Sequence, residues 1–242
     1  MLELKINNSV SVYGLISKDW GKTLVFCLIA ALTEFIPVFG RMLLLGISIK
    51  VMSNAIKKKD EIPNIYGDIK EDFLNGVIYY ILHAIILSII TFFILLGPLN
   101  NLAILGSEFL SYRDAILNGS LESISSSTIE NIAISELANF GVIILIVILF
   151  VIFVPIMAAN FADSGKFLSF FNFKKIFRMI FGNFWEYMKM LGVMILYSIV
   201  IGIVGVISIV IVIGPLIASS LMILVSGKII GDWYREASAK IN

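Results

Sequence analysis

The chain has 242 residues, 59% of them hydrophobic and 14% charged, with a mean hydropathy of +1.00. A water-soluble domain of this size cannot hide so much apolar surface, so the composition excludes one and requires an integral membrane protein. The net charge of +1 gives no basis for nucleic-acid binding, and where the charges fall carries more than their sum.

Residues 1–22 end in YGLISKDWGK, an interfacial lead-in with Trp20 at headgroup depth. They lack the apolar core and small-residue cleavage site of a signal peptide. The apolar stretch 23–56 is broken by Glu34, Pro37, Gly40 and Arg41. As one helix it would be about 50 Å long, more than a hydrocarbon core of about 30 Å. It therefore reads as a hairpin of two short spans, about 23–37 and 40–56, stopped by Lys57, Lys58 and Lys59. Cys27 is the single cysteine, lies in the first span and forms no intrachain disulfide.

A polar connector follows, with helical spacing of Ile62, Ile65, Tyr66, Ile69 and Phe73. The third span is expected over about 76–106, continuing past a kink at Gly97-Pro98. The acidic, serine-rich stretch 107–139 is expected as an outer loop, with a glycosylation sequon at Asn118. Spans at about 140–159, 190–213 and 216–230 complete an all-α, polytopic fold of about six helices in one integral membrane domain, 1–242. Lys228 lies close enough to the end of the last span to snorkel.

The segment 163–184 stands out between uncharged runs. Phe173, Ile176, Phe177, Ile180, Phe181 and Phe184 recur at helical spacing on one face, with Lys174, Lys175 and Arg178 opposite. A basic, aromatic helix of this kind lies in a membrane interface, or it packs as a loop helix on its own protein. Trp185 follows it, and Trp233 in GDWYREASAKIN gives the C-terminus the same aromatic and basic character. A bend near Gly182-Asn183 leads into the fifth span.

Basic residues give the orientation. Residues 1–22 carry three Lys or Arg, 57–72 four, 163–189 five and 228–242 three, whereas 107–139 carries one. Six spans put every basic segment on one side, which predicts both termini in the cytoplasm. A seventh crossing at Leu99–Leu110 would scatter them.

Catalytic spacing is missing from the sequence: it has no HExxH, GxSxG or phosphate-binding glycine loop. His83 is the single histidine, so a multi-histidine metal site is ruled out. No catalytic, cofactor or metal residue is assigned. Glu34, Arg41, Lys50 and His83 are the ionisable groups inside apolar segments, where a charge is costly unless paired. Glu34 and Arg41 flank the first turn and suit an ion pair. Lys50 is within snorkelling reach of the inner boundary. His83 suits a hydrogen-bonded core position or a proton relay. Ser198, Gly202 and Gly205 form a small-residue face suited to close helix packing.

Lys18-Asp19-Trp20, the hairpin with Gly40, Lys58 to Glu61 with Ile62-Pro63, and Asp72-Phe73-Leu74-Asn75-Gly76 occur in a familiar order. Pro155, Ala158 to Phe161 and Phe170-Phe171-Asn172-Phe173 extend it. This order resembles the archaeal membrane-protein family catalogued as domain of unknown function 4013, over nearly the whole chain. Gly40-Arg41 departs from the Gly-Tyr usual in that family. The resemblance implies an archaeal cell membrane and no assigned activity. The expected role is non-enzymatic: organising the membrane, or binding a membrane-protein partner or a second copy, through a basic aromatic inner face suited to anionic headgroups. The alternative is a small-solute transporter, with broken helices supporting a site.

Overall fold

A computed structural model describes residues 14–36, 38–59, 61–65, 67–117, 126–208 and 214–241. Among the described residues every regular element is helical. In order they are α1 (Trp20–Glu34), α2 (Phe39–Ile56), α3 (Ile69–Leu117), α4 (Ser126–Ser164), a 3₁₀ turn (Phe167–Phe171), α5 (Phe173–Gly182), α6 (Phe184–Ile207) and α7 (Gly214–Ala239). Among the described residues, five helical segments are long and apolar enough to cross a membrane: Phe39–Ile56, Ile69–Leu96, Leu137–Ser164, Phe184–Ile207 and Gly214–Ala239. The protein is an all-α polytopic membrane protein. The first helix of the expected hairpin, α1, has 15 residues and is shorter than the about 20 that a full crossing takes.

The chain divides into two compact units, residues 1–81 with 152–242, and residues 82–151. The first unit holds the packed core. Asp19 caps α1 by accepting from the Lys22 amide at 3.2 Å. Hydrogen bonding to Lys22 also holds the Asp19 carboxyl below its ordinary pKa. The α1–α2 turn is tight, and a Cβ on Gly40 would run into the Thr33 carbonyl. Helix α7 packs on α1, α2 and α6. Phe26, Cys27, Ala30, Leu43, Leu44, Ile47, Val51, Ile65 and Leu224 form the shared apolar core.

Glycines set how closely these helices approach. A Cβ on Gly46 would meet the Asp72 carbonyl, and one on Gly76 the Met42 carbonyl, so α2 and the start of α3 touch backbone to backbone. Gly227 and Gly231 do the same for α7 on α2. Added Cβ atoms would lie 2.7 Å from Val51 Cγ1 and 2.6 Å from Ala55 Cβ. In lipid, where apolar burial supplies little drive, such close packing is what brings helices together.

The second unit, residues 82–151, is made of the distal part of α3 and the proximal part of α4. Its described apolar side chains are largely exposed, Leu87, Phe92, Leu95, Leu145, Ile148 and Val151 among them. An apolar surface this extensive suits hydrocarbon rather than water.

Several expected boundaries move. The outer loop expected over 107–139 is helical through Leu117 and again from Ser126. Residues 107–117 and 126–139 contain neither glycine nor proline, so nothing in them stops a helix. Asn118 of the sequon lies outside the described residues. Helix α3 runs on through Gly97-Pro98 without ending, because a broken backbone would find no water partner at that depth. The helical spacing at Ile62 and Ile65 does not form a helix: residues 61–64 have no regular structure, and α3 begins at Ile69. The fifth span begins at Phe184, earlier than expected, and its described part ends at Ile207.

Candidate lipid interface

Helix α5 forms where its sequence spacing places it. Asn172 caps it, its side chain accepting from the Lys175 amide at 3.2 Å. The helix ends at Gly182, and Asn183 separates it from α6. Its apolar residues do not form one face with one role. Ile176, Met179 and Ile180 are buried against the protein. Phe173, Phe177, Phe181 and Phe184 are exposed, with Phe181 at 69%. Phe177 and Phe181 stack with centroids 5.9 Å apart. Trp185 continues this row at 72% exposure, and Trp20 on α1 is 63% exposed. The isoleucines hold the helix down while the phenylalanines face outward.

The cations divide too. Lys174 and Arg178 are exposed, and neither has an ion-pair partner among the described residues. Lys175, expected on the lipid-facing set, turns inward instead. Its Nζ donates to the Tyr234 hydroxyl at 2.6 Å and lies 3.5 Å from Asp163 Oδ2. The Tyr234 hydroxyl also lies 2.8 Å from Asn160 Oδ1 and 3.2 Å from Asp163 Oδ2. Asn160 Nδ2 donates to the Ser169 carbonyl at 2.5 Å. This network ties α5 to the ends of α4 and α7. Lys175 is half-buried, and a cation partly removed from water is favoured by a nearby counter-charge and acceptors.

Trp233 is the clearest correction. It is 3% exposed and lies against Tyr187, ring centroids 4.8 Å apart. The Tyr187 hydroxyl in turn donates to the Ile152 carbonyl. Gly227 and Gly231 seat one side of α7 on α2 while Tyr187 of α6 covers Trp233 on the other, so Trp233 belongs to packing and not to the lipid-facing set. Lys228 is also buried rather than snorkelling. It pairs with Asp232 at 3.0 Å, and Arg235 Nη1 reaches the same carboxylate at 2.8 Å and the Ala55 carbonyl at 2.6 Å.

The other intramembrane polar residues also find partners. Lys50 bridges Asp72 at 3.0 Å and Asp68 at 3.3 Å, so a salt bridge replaces the expected snorkelling. Glu34 accepts from Ser219 Oγ at 2.6 Å, and no ion pair joins it to Arg41 among the described residues. Arg41 is exposed. His83 is half-buried in the second unit. Of the small-residue face, Gly205 packs closely, since a Cβ added there would lie 3.2 Å from Ala218 Cβ. One added at Gly202 would meet open space.

These contacts gather the basic segments. The Lys50 bridge joins α2 to the start of α3, Arg235 joins α7 to the end of α2, and Lys240 reaches Glu186 of α6 at 3.6 Å. With the Lys175 network they bring the C-terminal ends of α2, α4 and α7, the starts of α3 and α6, and α5 to one end of the first unit. A polar cavity of about 370 Å³ lies at this end, lined by residues that include Lys50, Lys57, Glu71, Asp72 and Asp163. Glu34, Arg41 and His83 are not part of its lining.

Sequence reasoning missed Tyr234, Asp163, Asn160 and Asp232. The Lys228–Asp232 pair carried a usable signal, opposite charges four residues apart inside an apolar helix. The same stretch holds Gly227 and Gly231 at the spacing of a small-residue packing motif.

A family model described as Protein of unknown function (DUF4013) matches residues 29–225. No curated protein and no solved structure matches the chain.

Proposed function

Because the chain belongs to that family, whose description carries no activity, we propose its function from the outward face of α5: a non-enzymatic, multi-pass protein of the cell membrane that organises lipid at the inner surface. Both termini and α5 lie on the cytoplasmic side, where the basic segments favour them. The exposed row of Phe173, Phe177, Phe181, Phe184 and Trp185 enters the acyl boundary, and Lys174 and Arg178 beside it meet anionic headgroups. One observation carries this proposal. A helix pinned to its protein by Ile176 and Ile180 still exposes three phenylalanines, next to two cations with no ion-pair partner among the described residues. Water would not favour that arrangement, whereas an interface accepts both halves. A transporter would draw on the polar cavity beside Lys50, where Lys50 is already held by Asp72.

The test is reconstitution of the full chain into vesicles of phosphatidylcholine with a minor share of self-quenching, labelled phosphatidylglycerol. The protein should deepen quenching by gathering the label, and Phe177→Ser with Phe181→Ser should remove much of that effect. Equal quenching with wild type, variant and empty vesicles would rule out lipid organisation by this face. Sidedness is checked separately by cysteine labelling at Lys58 and Ser125 in intact cells. Labelling of both from the same side would overturn the orientation.

A further inference from the structure

Between α5 and the C-terminal end of α7 lies a cleft of about 310 Å³. Its lining includes Lys174, Lys175, Arg178, Asn172 and Ser238, with Met179 and Ile241 supplying the apolar part. No acidic side chain lines it. The contrast with the cavity beside Lys50 is direct, since that cavity mixes Lys50 and Lys57 with Glu71, Asp72 and Asp163. Asp163, the ion-pair partner of Lys175, is also engaged by Tyr234. Lys174 and Arg178 therefore present uncompensated charge to a concave space of small-ligand size.

The donors suit a tetrahedral oxyanion. A guanidinium offers a planar fork and an ammonium offers freely turning donors, the pairing that phosphate recognition uses. The Asn172 amide and the Ser238 hydroxyl add neutral donors. The cleft also lies at the N-terminal part of α5, where the helix dipole favours negative charge. Phe173 and Phe177, exposed on the same helix, place apolar surface next to the cleft.

We propose that this cleft binds a phosphate group, either in the headgroup of an anionic phospholipid whose acyl chains run along the phenylalanine row or as a soluble phosphate. The lipid case rests on the interfacial seat of α5 proposed above; the soluble case does not.

The test uses the full chain in nanodiscs of equal parts phosphatidylcholine and phosphatidylglycerol, with lipids retained after extraction counted by native mass spectrometry. Wild type should retain phosphatidylglycerol preferentially. Lys174→Gln with Arg178→Gln should lower that preference on the order of tenfold, whereas Lys58→Gln with Lys59→Gln, the same charge change on another basic segment, should leave it in place. Equal loss in both double variants would mean unspecific surface charge and would overturn the cleft. Inorganic phosphate, followed by ³¹P line broadening in detergent, separates the sources: broadening lost in the Lys174/Arg178 variant assigns soluble phosphate to the cleft. No lipid preference and no broadening would overturn the proposal altogether. Quenching of Trp185 by brominated lipid reads the interfacial seat independently. Quenched Trp185 with both lipid preference and phosphate broadening unchanged in the Lys174/Arg178 variant would sink the cleft and leave the seat intact. Unquenched Trp185 with phosphate broadening would do the reverse.

Discussion

Two stretches of this chain look alike in composition and end up on opposite sides of the protein surface. Residues 173–185 and 228–240 both mix aromatic and basic side chains at the edge of an apolar run. In the first, Phe181 and Trp185 face outward. In the second, Trp233 and Tyr234 are buried and Lys228 is locked against Asp232. What separates them is the backbone beneath. Gly227 and Gly231 seat one side of α7 on α2, and Tyr187 of α6 covers Trp233 on the far side, so this end of α7 is enclosed on both sides. Helix α5 has bulky isoleucines on its inward side, which hold it at arm's length and leave the phenylalanines outside. Aromatic and basic composition alone does not mark a lipid-facing helix; the small residues next to it decide.

That contrast can be broken from either side, and the largest effects belong to the buried stretch. Asp232→Ala removes the carboxylate that Lys228 and Arg235 share, leaving a buried ammonium without its main counter-charge. We expect a loss of about 3–5 kcal/mol, read as a lowered thermal midpoint in detergent. Gly231→Leu should cost about 1–3 kcal/mol by overpacking against Ala55 and Met52. It should also shift Trp233 emission to the red as the end of α7 lifts. A Gly231→Leu protein with unchanged midpoint and emission would show that close approach is not what buries Trp233.

Tyr234→Phe is next. It removes the hydroxyl that links Lys175, Asn160 and Asp163, and should cost about 1–3 kcal/mol. Because this network fixes α5 to α7, the same variant should speed amide exchange in α5, measured by deuterium uptake. The smallest stability effect belongs to the exposed row. Phe181→Ser should change stability by no more than about 0.5 kcal/mol while lowering the quenching of Trp185 by brominated lipid. If Phe181→Ser instead destabilises the fold as much as Tyr234→Phe, the ring packs on protein rather than facing outward.

Part of this contrast was legible in the sequence. The bounds of α5 follow from an Asn172 cap, a clean helical period and a break at Asn183, and all three are local features. The gathering of residues 57–72, 163–189 and 228–242 at one end matches a count of Lys and Arg along the chain, because charged side chains collect where apolar helices end. Which half of α5's apolar arc faces inward was not legible: isoleucine and phenylalanine score alike in a periodicity, and only the partner helices distinguish them. Lys175 was assigned with Lys174 and Arg178 for the same reason, since its counter-charge, Asp163, comes from another helix. The burial of Trp233 depends on Tyr187, a partner on another helix 46 residues earlier in the chain. The helical continuation of α3 past Pro98, by contrast, was legible, because lipid penalises a broken backbone that water would tolerate.

The most direct measurement compares the two tryptophans. Two variants retaining only Trp185 or only Trp233, the other tryptophans replaced by phenylalanine, are reconstituted in vesicles containing brominated phosphatidylcholine. Trp185 should be strongly quenched and Trp233 nearly unquenched, with its emission blue and unchanged by the brominated lipid. Equal quenching of the two, or stronger quenching of Trp233, would contradict the placement of α5 at the lipid interface and of the end of α7 in the protein core.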